Sequence, residues 1–287
     1  MPQQPSSNSI GSSITVLQTI DSTNKYAMGL IHAGMARHGE AIFALAQPEG
    51  KGQWGKKWSS EPGANILLSV IIKPGRLKLP DQFYFSAAIS LAVYDFYRKY
   101  AGDETKIKWP NDLYWRDRKA GGVLVESVVS SQQSAVNSQL PIVIGTADSN
   151  LQTAISSSAP VTGIWDWAVV GIGININQTI FPSELINPVS LKQITGQDFD
   201  PVELAKELCG CISKQFDLLV SGEKENIYKR YNQHLYKLNE QVKLKKDNRV
   251  FEVIIKGVSP LGKLMTAHAF DEDPIAIGFG EVEWVIS

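Results

Sequence analysis

From about Leu238 the chain changes character, and that change constrains its fold more than any other feature of the 287 residues. Before it, helix-period and strand-like segments follow one another. After it come only short alternating runs, at residues 242–244, 250–255, 264–269 and 282–286, with a tight turn at Ser259-Pro260-Leu261-Gly262. Helices with strands, then strands alone, predict an α+β domain over residues 14–237 and a small β-barrel over residues 238–287.

Within the first part, residues 14–20 read as a strand ending at Asp21-Ser22-Thr23-Asn24, a run that suits a helix N-cap. A helix is expected over residues 24–33, stopped by Gly34. The apolar run 41–46 delivers Gln47 to a glycine-rich loop, and 66–72 is a buried strand. Over residues 83–100, Phe85, Ile89, Ala92, Val93 and Phe96 share one helical face. Residues 106–115 read as two strands joined by the turn Lys108-Trp109-Pro110-Asn111-Asp112. The β-branched run 121–129 and residues 167–176, which contain Gly171-Ile172-Gly173-Ile174-Asn175, are further strands. Asp200-Pro201-Val202-Glu203 supplies a cap, an N1 proline and an N3 carboxylate for a helix to about residue 220, with Leu204, Leu208, Cys211 and Leu219 buried. A second helix is expected over 224–236. Between 130 and 163 lies an insertion rich in Ser, Gln and Ala, with 140–145 open as an embedded hairpin strand.

A formal net charge of -1 leaves no global field for nucleic acid or an anionic membrane, so any anion site is local. The longest apolar run, 66–72, is too short to span a bilayer. Residues 1–13 lack the apolar region of a secretory signal and read as a flexible tail, too short for a helix-turn-helix module. Two cysteines, Cys209 and Cys211, make no disulfide framework; a reducing, cytoplasmic setting is expected, with both thiols inert. His32, His38, His234 and His268 lack metal-ligand spacing.

The chemistry concentrates in a few segments. Gly50-Lys51-Gly52-Gln53-Trp54-Gly55-Lys56-Lys57-Trp58 joins backbone freedom, positive charge and flat apolar walls. On its own it is either a wrap for an anion or a basic turn. Asp112 can hold a cation, accept from a ribose or cap its turn, and capping is the simpler reading. Lys119 either lies along a strand edge or points inward at an anion. Gly171 and Gly173 allow close approach of a ligand or tight sheet packing, and they lack the third glycine and following helix of a dinucleotide fingerprint.

Taken in order, Asp21-Ser22-Thr23-Asn24, GKGQWGKKW, KWPND, Lys119-Ala120-Gly121-Gly122-Val123-Leu124-Val125-Glu126 and GIGIN resemble the biotin–protein ligase family, from about residue 14 to the C-terminus apart from the insertion. The resemblance implies a catalytic domain related to class II aminoacyl-tRNA synthetases, a mixed sheet flanked by helices, and an SH3-like C-terminal barrel. It implies acyl adenylation: biotin is activated by ATP and Mg²⁺ with release of pyrophosphate, then passed to a lysine of a biotin carboxyl carrier protein. By position, Ser22, Thr23, Asn24 and Gln47 would contact the biotin ring, and Ser69 its ureido group. Gly50, Lys51 and Gly52 would face carboxylate and phosphate. Lys119, catalytic together with Lys51, would bind the carboxylate, while Gly121, Gly122, Gly171 and Gly173 leave room. Gln53, Trp54, Lys56, Trp58, Lys108, Asn111, Asp112 and Asn175 would serve the nucleotide, with Asp112 also a ligand for Mg²⁺.

The loop departs from the family's usual GRGRRGR: Lys51 and Lys56 replace arginines, and Gln53-Trp54 replaces the central pair. Lysine cannot make a planar bidentate phosphate contact, so retention of the intermediate is where this chain is expected to differ. A lipoate or octanoate transferase ranks second, because those relatives lack a KWPND-type turn followed by a Lys-x-Gly-Gly strand. A non-enzymatic biotin sensor ranks third, having no need of phosphate lysines. The oligomeric state stays open, with edge-strand pairing in a homodimer one expectation.

Overall fold

The computed structural model describes residues 9–50, 52, 55–130, 142–145, 164–268 and 273–285. Its first part runs β1 (Ser13–Thr19), α1 (Thr23–His32), β2 (Glu40–Ala46), β3 (Ile66–Ile72), α2 (Gln82–Ala101), β4 (Thr105–Lys108), β5 (Asp112–Trp115), β6 (Arg118–Ser130), β7 (Ile142–Gly145), β8 (Ile164–Ile174), α3 (Leu191–Thr195), α4 (Pro201–Val220) and α5 (Lys224–Gln233). A second, all-antiparallel part follows: β9 (Gln241–Lys246), β10 (Arg249–Val258), β11 (Leu264–Ala267), β12 (Ile275–Ile277) and β13 (Glu283–Val285).

The larger sheet has the order β1-β2-β3-β8-β6-β5-β4, with β7 pairing β6 beyond the end of β5. Only β1 and β2 run parallel, so the sheet is mixed. Its two faces are covered unequally. On one, α2, α4 and α5 bring Phe85, Phe96, Leu208, Phe216 and Tyr231 into a core with Phe43, Leu68, Val170 and Ile172. That core continues into Leu244, Val253, Ile255 and Leu264 of the smaller sheet. On the other face α1 alone packs, setting Ala27 and Met28 on Ile42, Ile71, Val128 and Val169. Ten residues of helix cannot cover eight strands, and the uncovered stretch beyond the start of α1 holds the candidate site.

Local sequence accounts for most of these elements. Asp200 accepts from Val202 N and Glu203 N and Pro201 opens α4, as the cap signature predicts. Asp247 and Asn248 both take positive φ and close a two-residue hairpin between β9 and β10. No helix among the described residues is long and apolar enough to cross a membrane.

Several expectations are corrected. The helix expected to reach residue 236 ends at Gln233, because the backbone of Ile107 takes over: its N–H donates to His234 O (2.9 Å) and its carbonyl accepts from Tyr236 N (2.8 Å). Cys209 and Ile212 are fully buried in the core from α4, whereas Cys211 is only partly buried, packed at its edge. A one-residue error in helical phase is enough for that. Burial pushes the Cys209 thiol up to about 12, which makes it inert. Of the insertion expected over 130–163, Ser130 ends β6 and residues 142–145 form the embedded strand β7; the insertion's other residues lie outside the described ones. The elements α3 and β12, five and three residues long, carry too little periodicity to be foreseen.

Candidate functional site

Strand register draws the site as a line across the sheet. Leu67, Gly173, Gly122, Asp112 and Lys108 are paired neighbours on β3, β8, β6, β5 and β4, and so share the face that carries α1. The adjacent row on that face holds Ser69, Gly171 and Leu124, and the next holds Ile71, Val169 and Glu126.

At the α1 end the trough is polar, built of hydroxyls and carboxamides with one carboxylate, Glu126. Ser22 caps the helix, and Thr23 and Asn24 are buried just inside it. Thr23 donates to Gln47 Oε1 from its backbone N–H (2.6 Å) and its hydroxyl (3.1 Å). The buried Ser69 Oγ lies 2.7 Å from Thr23 Oγ1 and donates to Asn24 Oδ1 (2.5 Å). Asn24 Nδ2 in turn donates to Glu126 Oε2 (2.6 Å). This chain of donors and acceptors crosses directly over Gly171, where a Cβ would fall 2.4–2.9 Å from the Asn24 carboxamide. Along the next row, a Cβ on Gly173 would fall 2.5–2.9 Å from the Trp58 indole, which forms the roof.

The other end is charged. Lys119 Nζ pairs with Asp112 Oδ1 at 2.7 Å, beside the bare Cα of Gly122. Lys108 stands one strand further, buried between the rings of Tyr114 (5.1 Å) and Trp284 (5.2 Å). Burial lowers its pKa to about 8, Asp112 opposes that shift, and the charges of Lys119 and Lys56 add to it. The glycine loop reaches the site through Trp58, which lies on Gly173. The loop itself folds back on its own backbone, with Trp58 N donating to Gly50 O (2.9 Å) and Gly52 N to Lys56 O (2.7 Å). Lys51, Gln53 and Trp54 lie outside the described residues.

Two of the expected residues are engaged with backbone. Asn175 is buried; its Nδ2 donates to Val189 O (3.1 Å) and Lys119 O (3.5 Å), and its N–H to Ala120 O (2.8 Å). It therefore fixes the backbone that carries Lys119, together with Lys119 N donating to Asn187 O (2.8 Å) and Val189 N to Lys119 O (2.9 Å). Asn111 Nδ2 donates to Val123 O, and its Oδ1 is buried without a protein partner. The turn between β4 and β5, which holds Asn111, contains a cis Trp109-Pro110 bond, and Pro110 O accepts from Tyr231 OH (2.6 Å).

Glu126, Tyr114 and Trp284 escaped the sequence reading. A lone carboxylate inside an apolar strand was a signal for Glu126. Nothing local points to Trp284, whose place beside Lys108 depends on docking of the smaller sheet. Among the described residues no three His, Cys, Asp or Glu side chains converge, and Asp112 is already paired with Lys119. A magnesium ion held by the protein does not fit this set; one arriving on nucleotide phosphates belongs to the substrate.

Comparison with known proteins gives this geometry its context. Residues 16–140 match the model of the biotin/lipoate A/B protein ligase family. The bifunctional ligase/repressor BirA of Escherichia coli is 34% identical over 179 residues, 61% of this chain and 52% of that protein. The biotin–[acetyl-CoA-carboxylase] ligase of Mycobacterium tuberculosis is 30% identical over 116 residues, 39% of this chain and 44% of that one. The chain thus spans about half the length of these relatives. In fold it is similar to the biotin protein ligase of Aquifex aeolicus solved with biotin and ATP, with a TM-score of 0.71, 22% identity, and coverage of 96% of this chain and 100% of that one.

Proposed function

We propose that this chain belongs to the biotin–protein ligase family and is an ATP-dependent ligase that joins biotin to a lysine of a biotin carboxyl carrier protein. The observation that carries this reading is the row Gly173–Gly122–Asp112–Lys108 with Lys119 beside it. The row leads from a hydrogen-bonding end, where Thr23, Asn24, Ser69 and Gln47 gather, past the bare Cα of Gly122 to a charged end with Lys119 and Lys108 around Asp112. Biotin has that polarity: a neutral ureido ring, an apolar tail and a terminal carboxylate. Thr23, Asn24, Ser69 and Gln47 would hold the ring; Gly171 and Gly173 leave space for the Asn24 carboxamide and the Trp58 indole, and Trp58 would flank the ligand.

Lys119 would bind the carboxylate and so hold it for attack on the α-phosphorus of ATP. The carboxylate oxygen forms the new bond to phosphorus as the bond to the pyrophosphate oxygen breaks. The carrier lysine, as a free amine, then attacks the acyl carbon, AMP leaves, and the amine proton passes to solvent. Both steps concentrate negative charge near one phosphorus, so positioning and fixed cations supply most of the acceleration. Lys108, with Lys51 and Lys56 of the loop, would meet the phosphates; Asn111 and Asn175 would hold the turn and strand around them. Magnesium would neutralise phosphate charge as part of the nucleotide. We read the larger part as a class II synthetase-like catalytic domain over residues 14–237, the smaller as an SH3-like barrel over 238–287, and the setting as cytoplasmic.

The test is direct. Purified chain with ATP, Mg²⁺ and biotin is expected to release pyrophosphate and to add one biotinyl group to a carrier domain, seen by mass. Release with lipoate and none with biotin would move the chain to the lipoate branch of the family.

A further inference from the structure

Among the described residues, the smaller sheet meets Lys108 through Trp284. Trp284, on β13, pairs with Leu244 of β9 and sits half-buried, with its ring 5.2 Å from Lys108 Nζ and 5.8 Å from the Tyr236 ring. Tyr114 flanks the same ammonium at 5.1 Å from its own sheet. The indole N–H of Trp284 is buried with no hydrogen-bond partner, so ring contacts and apolar packing hold the indole. A buried ammonium between two aromatic rings is held electrostatically by their quadrupoles, and a tryptophan face is the strongest such partner. Among the described residues no acidic side chain lies within ion-pair distance of Lys108; the nearby Asp112 pairs with Lys119.

We propose that Trp284 is a positioning residue for Lys108: the smaller sheet presents its indole as one wall of a two-ring cage that keeps the lysine ammonium on the nucleotide side of the trough. This rests on the ligase reading above, in which Lys108 meets the phosphates. Nucleotide affinity then depends on a residue that touches neither biotin nor ATP. Biotin affinity, set at the far end by Asn24 and Ser69, does not.

The test has two arms. In the first, acetic anhydride labels the free protein and mass spectrometry follows Lys108. Its labelling is expected to be several-fold faster in Trp284→Leu than in wild type, with Trp284→Tyr close to wild type. Equal rates in wild type and Trp284→Leu overturn the cage. In the second, calorimetry measures ATP and biotin separately. Trp284→Leu is expected to weaken ATP about tenfold and leave biotin within about twofold, with Trp284→Tyr restoring most of the loss. In a Lys108→Met background, Trp284→Leu is expected to add no further loss. Additive losses, or equal weakening of biotin, would mean that Trp284 acts by general structure and would overturn the proposal. Wild type that binds neither ligand sinks the ligase reading and the nucleotide role with it, while the labelling arm still decides whether the cage exists.

Discussion

Gly171 and Gly173 lie two positions apart on one strand and face the same way, yet they keep room for different things. The first passes beneath the Asn24 carboxamide and the second beneath the Trp58 indole. Gly171→Ala would push a methyl group into the Ser69–Asn24–Glu126 chain. The expected result is at least about tenfold weaker biotin binding by calorimetry and about 1–3 kcal/mol lost in urea unfolding. Unchanged biotin affinity would separate this chain from the ligand. Lys108 supplies a second test. Its folded pKa, lowered to about 8, lies below the ordinary lysine value, so the charged form burdens the fold at neutral pH. Stability should therefore rise as pH climbs from about 8 toward 10, relative to Lys108→Met, while ATP affinity falls as the ammonium is lost. A flat difference between the urea midpoints of the two proteins across that window would contradict it. Lys108, Asp112 and Lys119 stood out in the sequence because unusual residues cluster around them. The Asn24–Glu126 bond and the Trp284 wall span long separations that local pattern does not encode.

The elements that position the site differ in how strongly their own sequence specifies them. Asp200 accepts from two backbone N–H groups at 2.8 and 3.3 Å, and Asp200→Ala should cost about 1 kcal/mol in urea unfolding. Because α4 packs on the face away from the trough, biotin affinity should stay unchanged; a parallel loss would mean the two faces are coupled. Ser22 caps α1 more weakly, at 3.5 Å from Lys25 N, on the helix whose first turn ends the trough. Strands β3, β6 and β8 were legible as apolar runs, and α2 and α4 as long periodic helices. The end of α5 was not, since Ile107 of β4 decides it. Short elements such as α3 depend on a capping pair, here Ser190 with Gln193, instead of on periodicity.

At the scale of the whole molecule, the switch to short alternating strands near residue 238 marked where the all-antiparallel sheet begins. How that sheet docks was not legible. It grips the turn between β4 and β5 on two sides: Trp109 Nε1 donates to Gly262 O (2.9 Å) and its ring meets Phe279 edge-on at 5.9 Å, while Trp284 stands beside Lys108. Trp109→Phe keeps a ring and removes the donor. It should cost about 1 kcal/mol and loosen the smaller sheet, so that unfolding followed by circular dichroism and by tryptophan fluorescence no longer coincide. Coincident curves at the wild-type midpoint would show that the hydrogen bond contributes nothing to docking.

The walls of one trough come from positions as far apart as Ser22 and Trp284, and a ribosome delivers them in that order. A nascent chain can close β3, β8 and β6 over the start of α1 while β13 is still unmade. The hydrogen-bonding end is then in place early, whereas the charged end waits for the smaller sheet. An mRNA cut short, or a protease trimming β13, would remove Trp284 and with it one wall of the charged end.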